Sequence, residues 1–133
     1  MLYDVENMSH NVSLENLDCI LTFSMDYLDF DTDIPLTISF EVDYDEQSGF
    51  IEVDEDEIVL AINPKLEGEE LVRTVFHELV HAKQILTGQY VPGEGKLPGT
   101  WNGVMYTCDY YDLPWEKNAY ALEEKMCGEY FGK

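Results

Sequence analysis

TVFHELVHAKQ, residues 74–84, holds two of the chain's three histidines, four positions apart, with Glu78 directly after the first. The stretch decides the fold if it is helical, and its flanks predict that it is. Glu69 and Glu70 stand where the positive end of a helix dipole favours acids, and Gly88 is placed to end the last turn, so a helix is expected over 68–86. At about 100° per residue, His77 and His81 differ by only ~40° and Glu78 lies ~100° from His77. Leu71, Val75, Leu79, Ala82 and Leu86 fill a separate arc roughly 120–200° from His77, the face expected against a core. The imidazoles therefore border the apolar stripe, where a covered cleft would run, and both can reach one divalent ion.

Chance explains this pattern poorly. With 3 His and 16 Glu among 133 residues, a shuffled chain would contain some HExxH about once in two hundred trials. The uncharged neighbours Val75, Phe76, Leu79 and Val80 suit a buried helix rather than a surface accident.

A zinc ion that keeps one vertex for water needs a third protein ligand. No histidine follows His81, so that ligand is a carboxylate or a thiolate. The longer HExxHxxGxxH arrangement is excluded, because Gln84 stands at its glycine and Thr87 at its third histidine. A last helix expected from Pro114 carries Trp115, Ala119, Leu122, Met126 and Tyr130 as its apolar stripe. It offers Glu116 and Glu123, about 20° apart in projection, as carboxylate candidates. Cys108 and Cys127 are softer alternatives. Glu116 could instead cap free backbone N–H groups, since it lies in the first turn of that helix.

VFHELVHAKQ together with PWEKNAYALEE resembles the pattern of small HExxH glutamate-zincins (gluzincin-like metallopeptidases) of bacterial and phage type. In that pattern a glutamate ligand lies on a second, downstream helix, here with Ala119 three residues after Glu116. The resemblance covers about residues 70–125. It implies a zinc metallopeptidase, a hydrolase in which His77, His81 and Glu116 bind Zn2+ and Glu78 is the general base. Larger relatives of the thermolysin type place an aspartate four residues after the ligand glutamate to orient a histidine. Here that position is Tyr120, which leaves the orienting partner unassigned. Among Tyr110, Tyr111 and Tyr120, packing is the ordinary role, although one could donate to a developing oxyanion. Arg73, one turn before His77, is expected to pair with carboxylates rather than clamp a substrate.

In this reading two neutral imidazoles and one carboxylate leave the site net positive, so the ion lowers the pKa of its water to about 7 and polarises a peptide carbonyl. Glu78 takes the water proton and passes it to the leaving amine. A strand such as IVLAI, 58–62, is expected to offer its edge to an extended substrate.

Composition sets the frame around this site. A chain of 133 residues with 45% apolar residues is expected to form one domain, 1–133, around a single core. Its formal charge of −21 is uneven, with no Lys or Arg before residue 65. Such a field repels phosphate backbones and argues against nucleic acid, favouring a peptide or protein substrate, a basic one included. Cys19, Cys108 and Cys127 form no CxxC pair and suit a reducing compartment. No basic leader and no long apolar run is present, so a soluble, cytoplasmic protein without membrane contact is expected, its oligomeric state left open.

The fold expected is α+β, a minimal zincin-like domain. Ser13 caps a helix over 13–30, with Leu14, Leu17, Leu21, Met25 and Leu28 facing the core. LTISFEVDY, 36–44, and FIEVD, from 50, are expected to pair as a hairpin, with IVLAI as a third strand of a small antiparallel or mixed sheet. Residues 88–114 form an irregular excursion, with a small hairpin around Trp101, Asn102 and Gly103. Calcium is disfavoured. Counted as an EF-hand loop from Asp43, through Asp45 and Gln47, the chain has Ser48 at the glycine position and Asp54 at the bidentate position, and Asp29, Asp31 and Asp33 lack the glycine altogether.

Two other readings compete. An acidic binding protein of the nucleic-acid-mimic type would sequester a basic partner through the lysine-free front half. A degenerate zincin would use its metal only to hold the fold.

Overall fold

The computed structural model describes residues 3–30, 33–41, 48–93 and 99–132. Three helices and two sheets give an α+β architecture. The main sheet contains β1 (Tyr3–Glu6), β2 (Leu36–Ser39), β3 (Gly49–Val53) and β4 (Ile58–Ile62) in the order β1-β2-β4-β3. β1 runs parallel to β2 and β2 parallel to β4, while β3 returns antiparallel along β4. Helix α1 (Leu14–Leu28) links the parallel neighbours β1 and β2, since parallel strands need a crossover rather than a tight turn.

The expected pairing of 36–44 with the strand after it is corrected. The hairpin is β3–β4, with Ile51 opposite Leu60, and β2 lies on the other side of β4. The reason is burial. Leu36, Ile38, Ile58, Leu60 and Ile62 are all at most 1% exposed, and strands that apolar belong inside a sheet. IVLAI is therefore an inner strand with both edges paired, and it cannot offer one to a substrate. β3 is the edge strand beside it. The calcium question at Asp43, Asp45 and Gln47, the middle aspartate of 29–33 and the end of the 36–44 strand lie outside the described residues.

Each helix begins as its residues dictate. The Ser13 hydroxyl accepts the Asn16 N–H at 3.1 Å, a cap worth about 1 kcal/mol. Asp29 ends α1 in the left-handed conformation, and Lys83 donates to its carbonyl at 2.7 Å, setting a cation at the negative end of that helix. Helix α2 spans Gly68–Leu86 and helix α3 spans Pro114–Tyr130, with proline in the first turn. Ser9 and Asn11 fasten the N-terminal loop to Pro64 in the β4–α2 connection, which fixes where α2 starts.

The core lies where α1, α2 and α3 meet the main sheet. Leu17 and Leu21 of α1, Leu71, Val75, Phe76 and Leu79 of α2, and Met126 of α3 are buried against β2 and β4. Phe76 is 0% exposed, with the rings of Phe23 at 5.5 Å and Tyr130 at 5.6 Å; truncating such a side chain costs about 3–5 kcal/mol. The apolar stripe of α2 is held against the sheet and the other helices, while Glu70, Arg73, Thr74, His77, Glu78 and His81 line the cavities beside it.

The 88–114 stretch contains a second sheet of β5 (Tyr90–Val91), β6 (Thr100–Trp101) and β7 (Val104–Met105). Asn102 and Gly103, with φ of 51° and 83°, make its two-residue turn, which twists with the strands it joins. The Tyr90 ring stacks on Trp115 at 4.5 Å, tying this sheet to the start of α3. No helix among the described residues is long and apolar enough to cross a membrane.

Candidate metal centre

α2 and α3 pack side by side, which brings His77 and His81 from one to face Glu116 from the other. Nε2 of His77 lies 3.0 Å and Nε2 of His81 3.1 Å from the same Glu116 carboxylate oxygen, Oε1. All three residues are buried, at 6–7% exposure. Among the described residues they are the one group of His, Cys, Asp or Glu placed to hold a metal, with ligand atoms within 4.8 Å of each other. Atoms about 2.0–2.2 Å from a tetrahedral zinc stand about 3.3 Å apart, so the Glu116 separations are close to what an ion would require.

The outer nitrogens settle which ring atoms face inward. Glu123 Oε1 accepts from His77 Nδ1 at 3.0 Å. Gln84 Oε1 lies 2.8 Å from His81 Nδ1, while its amide nitrogen donates to the Trp115 carbonyl at 3.0 Å and to Asn118 at 2.8 Å. A backbone carbonyl only accepts, so the orientation of that amide is fixed and its oxygen must receive the His81 proton. Both imidazoles can thus carry their proton on Nδ1 and keep the Nε2 lone pair for an ion, the tautomer that metal ligation needs. The donor set fits a divalent cation such as zinc.

Sequence reasoning left Glu116 and Glu123 as alternative ligands, and the structure gives them different places. Glu116 joins the two histidines, and it makes no cap: the N-cap of α3 is Leu113, with no side-chain bond. Glu123 stands behind His77. Cys108 is exposed and Cys127 is packed into the core, neither in the cluster. Two outer partners escaped prediction. Gln84 had signified only a missing glycine, although it lies three residues after His81 on the same helix face. Glu123 supplies the orienting carboxylate missing at position 120, where the Tyr120 ring instead leans on His77 at 4.5 Å.

A further layer anchors Glu123. Arg73 Nη1 donates to Glu123 at 3.1 Å and to Glu124 at 2.9 Å, and its Nε lies 3.8 Å from Glu69, the carboxylate pairing expected of it. Tyr110, on a 3-10 turn at Tyr110–Asp112, donates to Glu116 Oε1 at 3.0 Å. Of the three tyrosines considered, this is the hydroxyl that reaches the cluster.

The charges respond to this packing. Burial pulls the His77 imidazolium down, but hydrogen bonds to Glu116 and Glu123 outweigh it and raise its pKa from 6.5 to about 9. Burial pushes Glu116 up, yet the bonds from His77 and His81 hold it at about 2. Burial raises Glu78 from 4.5 to about 7, against the pull of His81 and His77. Burial also lifts Tyr110, with its bonds to Tyr120 and Glu116 adding to the rise. Glu78 lines cavities of about 550 Å³ and about 270 Å³ that meet beside it. The arrangement can hold a cation and set a carboxyl that exchanges protons near neutrality next to it.

No protein-family model matches the chain, and no curated protein or solved structure shows significant similarity to it.

Proposed function

We propose that the protein is a zinc-dependent peptidase of the small HExxH glutamate-zincin kind, with His77, His81 and Glu116 as metal ligands and Glu78 as general base. The observation that carries the reading is the convergence of the two Nε2 atoms and Glu116 Oε1, with both outer Nδ1 atoms already held by Glu123 and Gln84. Nitrogen and carboxylate donors in a set of three favour zinc. When bound, that ion supplies Lewis acidity to water and to a substrate carbonyl.

The rest falls to the chain's own groups. Glu78, with its pKa near 7, can accept a proton from water and return it to the departing amine, so that hydrolysis yields one carboxylate and one amine. Gln84 and Glu123 keep the imidazole planes fixed. β3, the edge strand walling both cavities, replaces IVLAI as the strand able to pair with an extended peptide.

The acidic-capture reading rests on net charge and gives no use to a buried His-His-Glu group. Metal analysis combined with peptide hydrolysis tests the proposal. Wild-type protein is expected to carry about one zinc per chain, lost in the His77→Ala/His81→Ala double variant, while Glu78→Gln keeps zinc and loses hydrolysis. Full metal content in the double variant would overturn the ligand assignment. Zinc bound without hydrolysis of any peptide would leave the metal a purely structural role.

A further inference from the structure

The two cavities meet at Glu78 and differ in chemistry. The larger extends along the N-terminal half of α2, past Glu70 and Arg73, and is walled by Tyr110, Tyr111, Tyr120 and Glu123. No aliphatic side chain lines it among the described residues. The smaller runs toward the C-terminal half of α2 and is walled by Phe50, Ile51, Ile85, Tyr90 and Pro92. Both reach Gly49 of the edge strand β3. A chain laid along β3 across Glu78 would place neighbouring side chains in the two cavities.

The sign of the larger cavity follows from Arg73. Its guanidinium is bonded to Glu123 and Glu124 and lies near Glu69, so one positive charge is outnumbered by three negative ones. Glu70 adds an exposed carboxylate that pairs with no cation among the described residues. An acidic side chain entering along Arg73 would meet Glu70 and Glu123, and the one guanidinium lining this cavity is already paired. The tyrosines supply the complementary feature. Tyr111 lies 5.1 Å from Tyr110, edge to face, and 5.9 Å from Tyr120, and the three rings are 52%, 72% and 39% exposed for Tyr110, Tyr111 and Tyr120. Exposed aromatic faces beside carboxylates attract an ammonium or guanidinium group.

We infer that the larger cavity receives a lysine or arginine side chain of the substrate and the smaller one an apolar side chain, on opposite sides of the cleaved bond. The inference rests on the peptidase reading and names the class of peptide it acts on. Glu70 and the Tyr111 ring are the residues that select the basic side chain.

Zinc-loaded wild type is incubated with a mixed peptide library and the cleaved bonds are mapped by mass spectrometry. Cleavage is expected between a basic and an apolar residue. Matched peptides carrying lysine or norleucine are expected to differ about tenfold or more in kcat/KM, and Glu70→Gln and Tyr111→Ala each shrink that ratio. A ratio near one, or one that neither variant moves, overturns the inference. If no peptide is cleaved, the peptidase reading fails. The cavity is still decided by fluorescence anisotropy of the same labelled peptides on Glu78→Gln protein. Tighter binding of lysine over norleucine, weakened by Glu70→Gln, upholds the basic cavity, and equal binding overturns it.

Discussion

Glu123 and His77 are joined at 3.0 Å through Nδ1, while Glu116 holds Nε2 of the same ring at 3.0 Å. The two glutamates are seven residues apart, about 10.5 Å along a helix. That is too long for both to reach one ion, but it suits one imidazole clasped between them. Glu123 is therefore an orienting residue, and Glu123→Ala is expected to weaken zinc binding about 10–100-fold without unfolding the protein. Glu123→Gln, whose amide oxygen still accepts, should recover part of the loss. Competition against a chelator measures both, and unchanged affinity in Glu123→Ala would refute the assignment.

This division of roles marks where the sequence stopped being legible. Helix α2 was readable from Glu69, Glu70 and Gly88, α1 from Ser13, and α3 from Pro114, because caps and periodicity are local. Helix phase placed His77, His81 and Glu78 in one opening for the same reason. Which of two carboxylates at similar phase touches the ion depends on how α2 slides against α3, and no periodicity records that. Strand pairing failed likewise: adjacency in the chain favoured a β2–β3 hairpin, whereas the unbroken run IVLAI carried the signal of an inner strand. β1, four residues of alternating burial, gained its place by a parallel contact with Leu36–Ser39 that nothing within it announces.

The protonation of the cluster makes stability depend on pH in chelator-stripped protein. His77 is raised from 6.5 to about 9, so its contribution is full below about 6.5 and lost as pH rises through 9. Glu116 is lowered from 4.5 to about 2, so its contribution is full above about 4.5 and lost as pH falls through 2. Glu78 is raised from 4.5 to about 7, so its contribution is likewise lost as pH rises through 7. The stripped protein should therefore have its highest melting temperature at about pH 4.5 and lose stability on the alkaline side. Zinc must displace the His77 proton, so loading should release protons and shift the optimum upward. Calorimetry in buffers of different ionisation enthalpy reads the release. No proton released at pH 7 would mean that His77 is neutral before the ion arrives.

Gly49 sits where β3 presses on both β4 and α2. A Cβ there would stand 2.6 Å from the Ala61 carbonyl oxygen and 3.0 Å from Thr74 Cγ2. The carbonyl belongs to a paired inner strand and cannot retreat, so the edge strand must move instead. Gly49→Ala is expected to cost about 1–3 kcal/mol, read as a lower denaturation midpoint. Since β3 walls both cavities, kcat/KM should fall further than the loss of folded protein accounts for. A variant with wild-type stability would show that β3 is less tightly seated than this contact implies.

Tyr110 ties the His-His-Glu cluster to the 88–114 excursion. Its hydroxyl donates to Glu116 Oε1, the oxygen that both Nε2 atoms also approach, and the same residue borders both cavities. Burial and its partners keep the phenol protonated far above neutrality, so it remains a donor at neutral pH. With an ion drawing on Glu116, that hydroxyl, which lines both cavities together with Glu78, could donate to an oxygen gaining charge there. Tyr110→Phe should lower kcat about 10²–10³-fold, since oxyanion donors act chiefly in the transition state. KM and zinc content should change little. If instead zinc is lost while the turnover of reloaded enzyme is normal, the hydroxyl serves Glu116 alone.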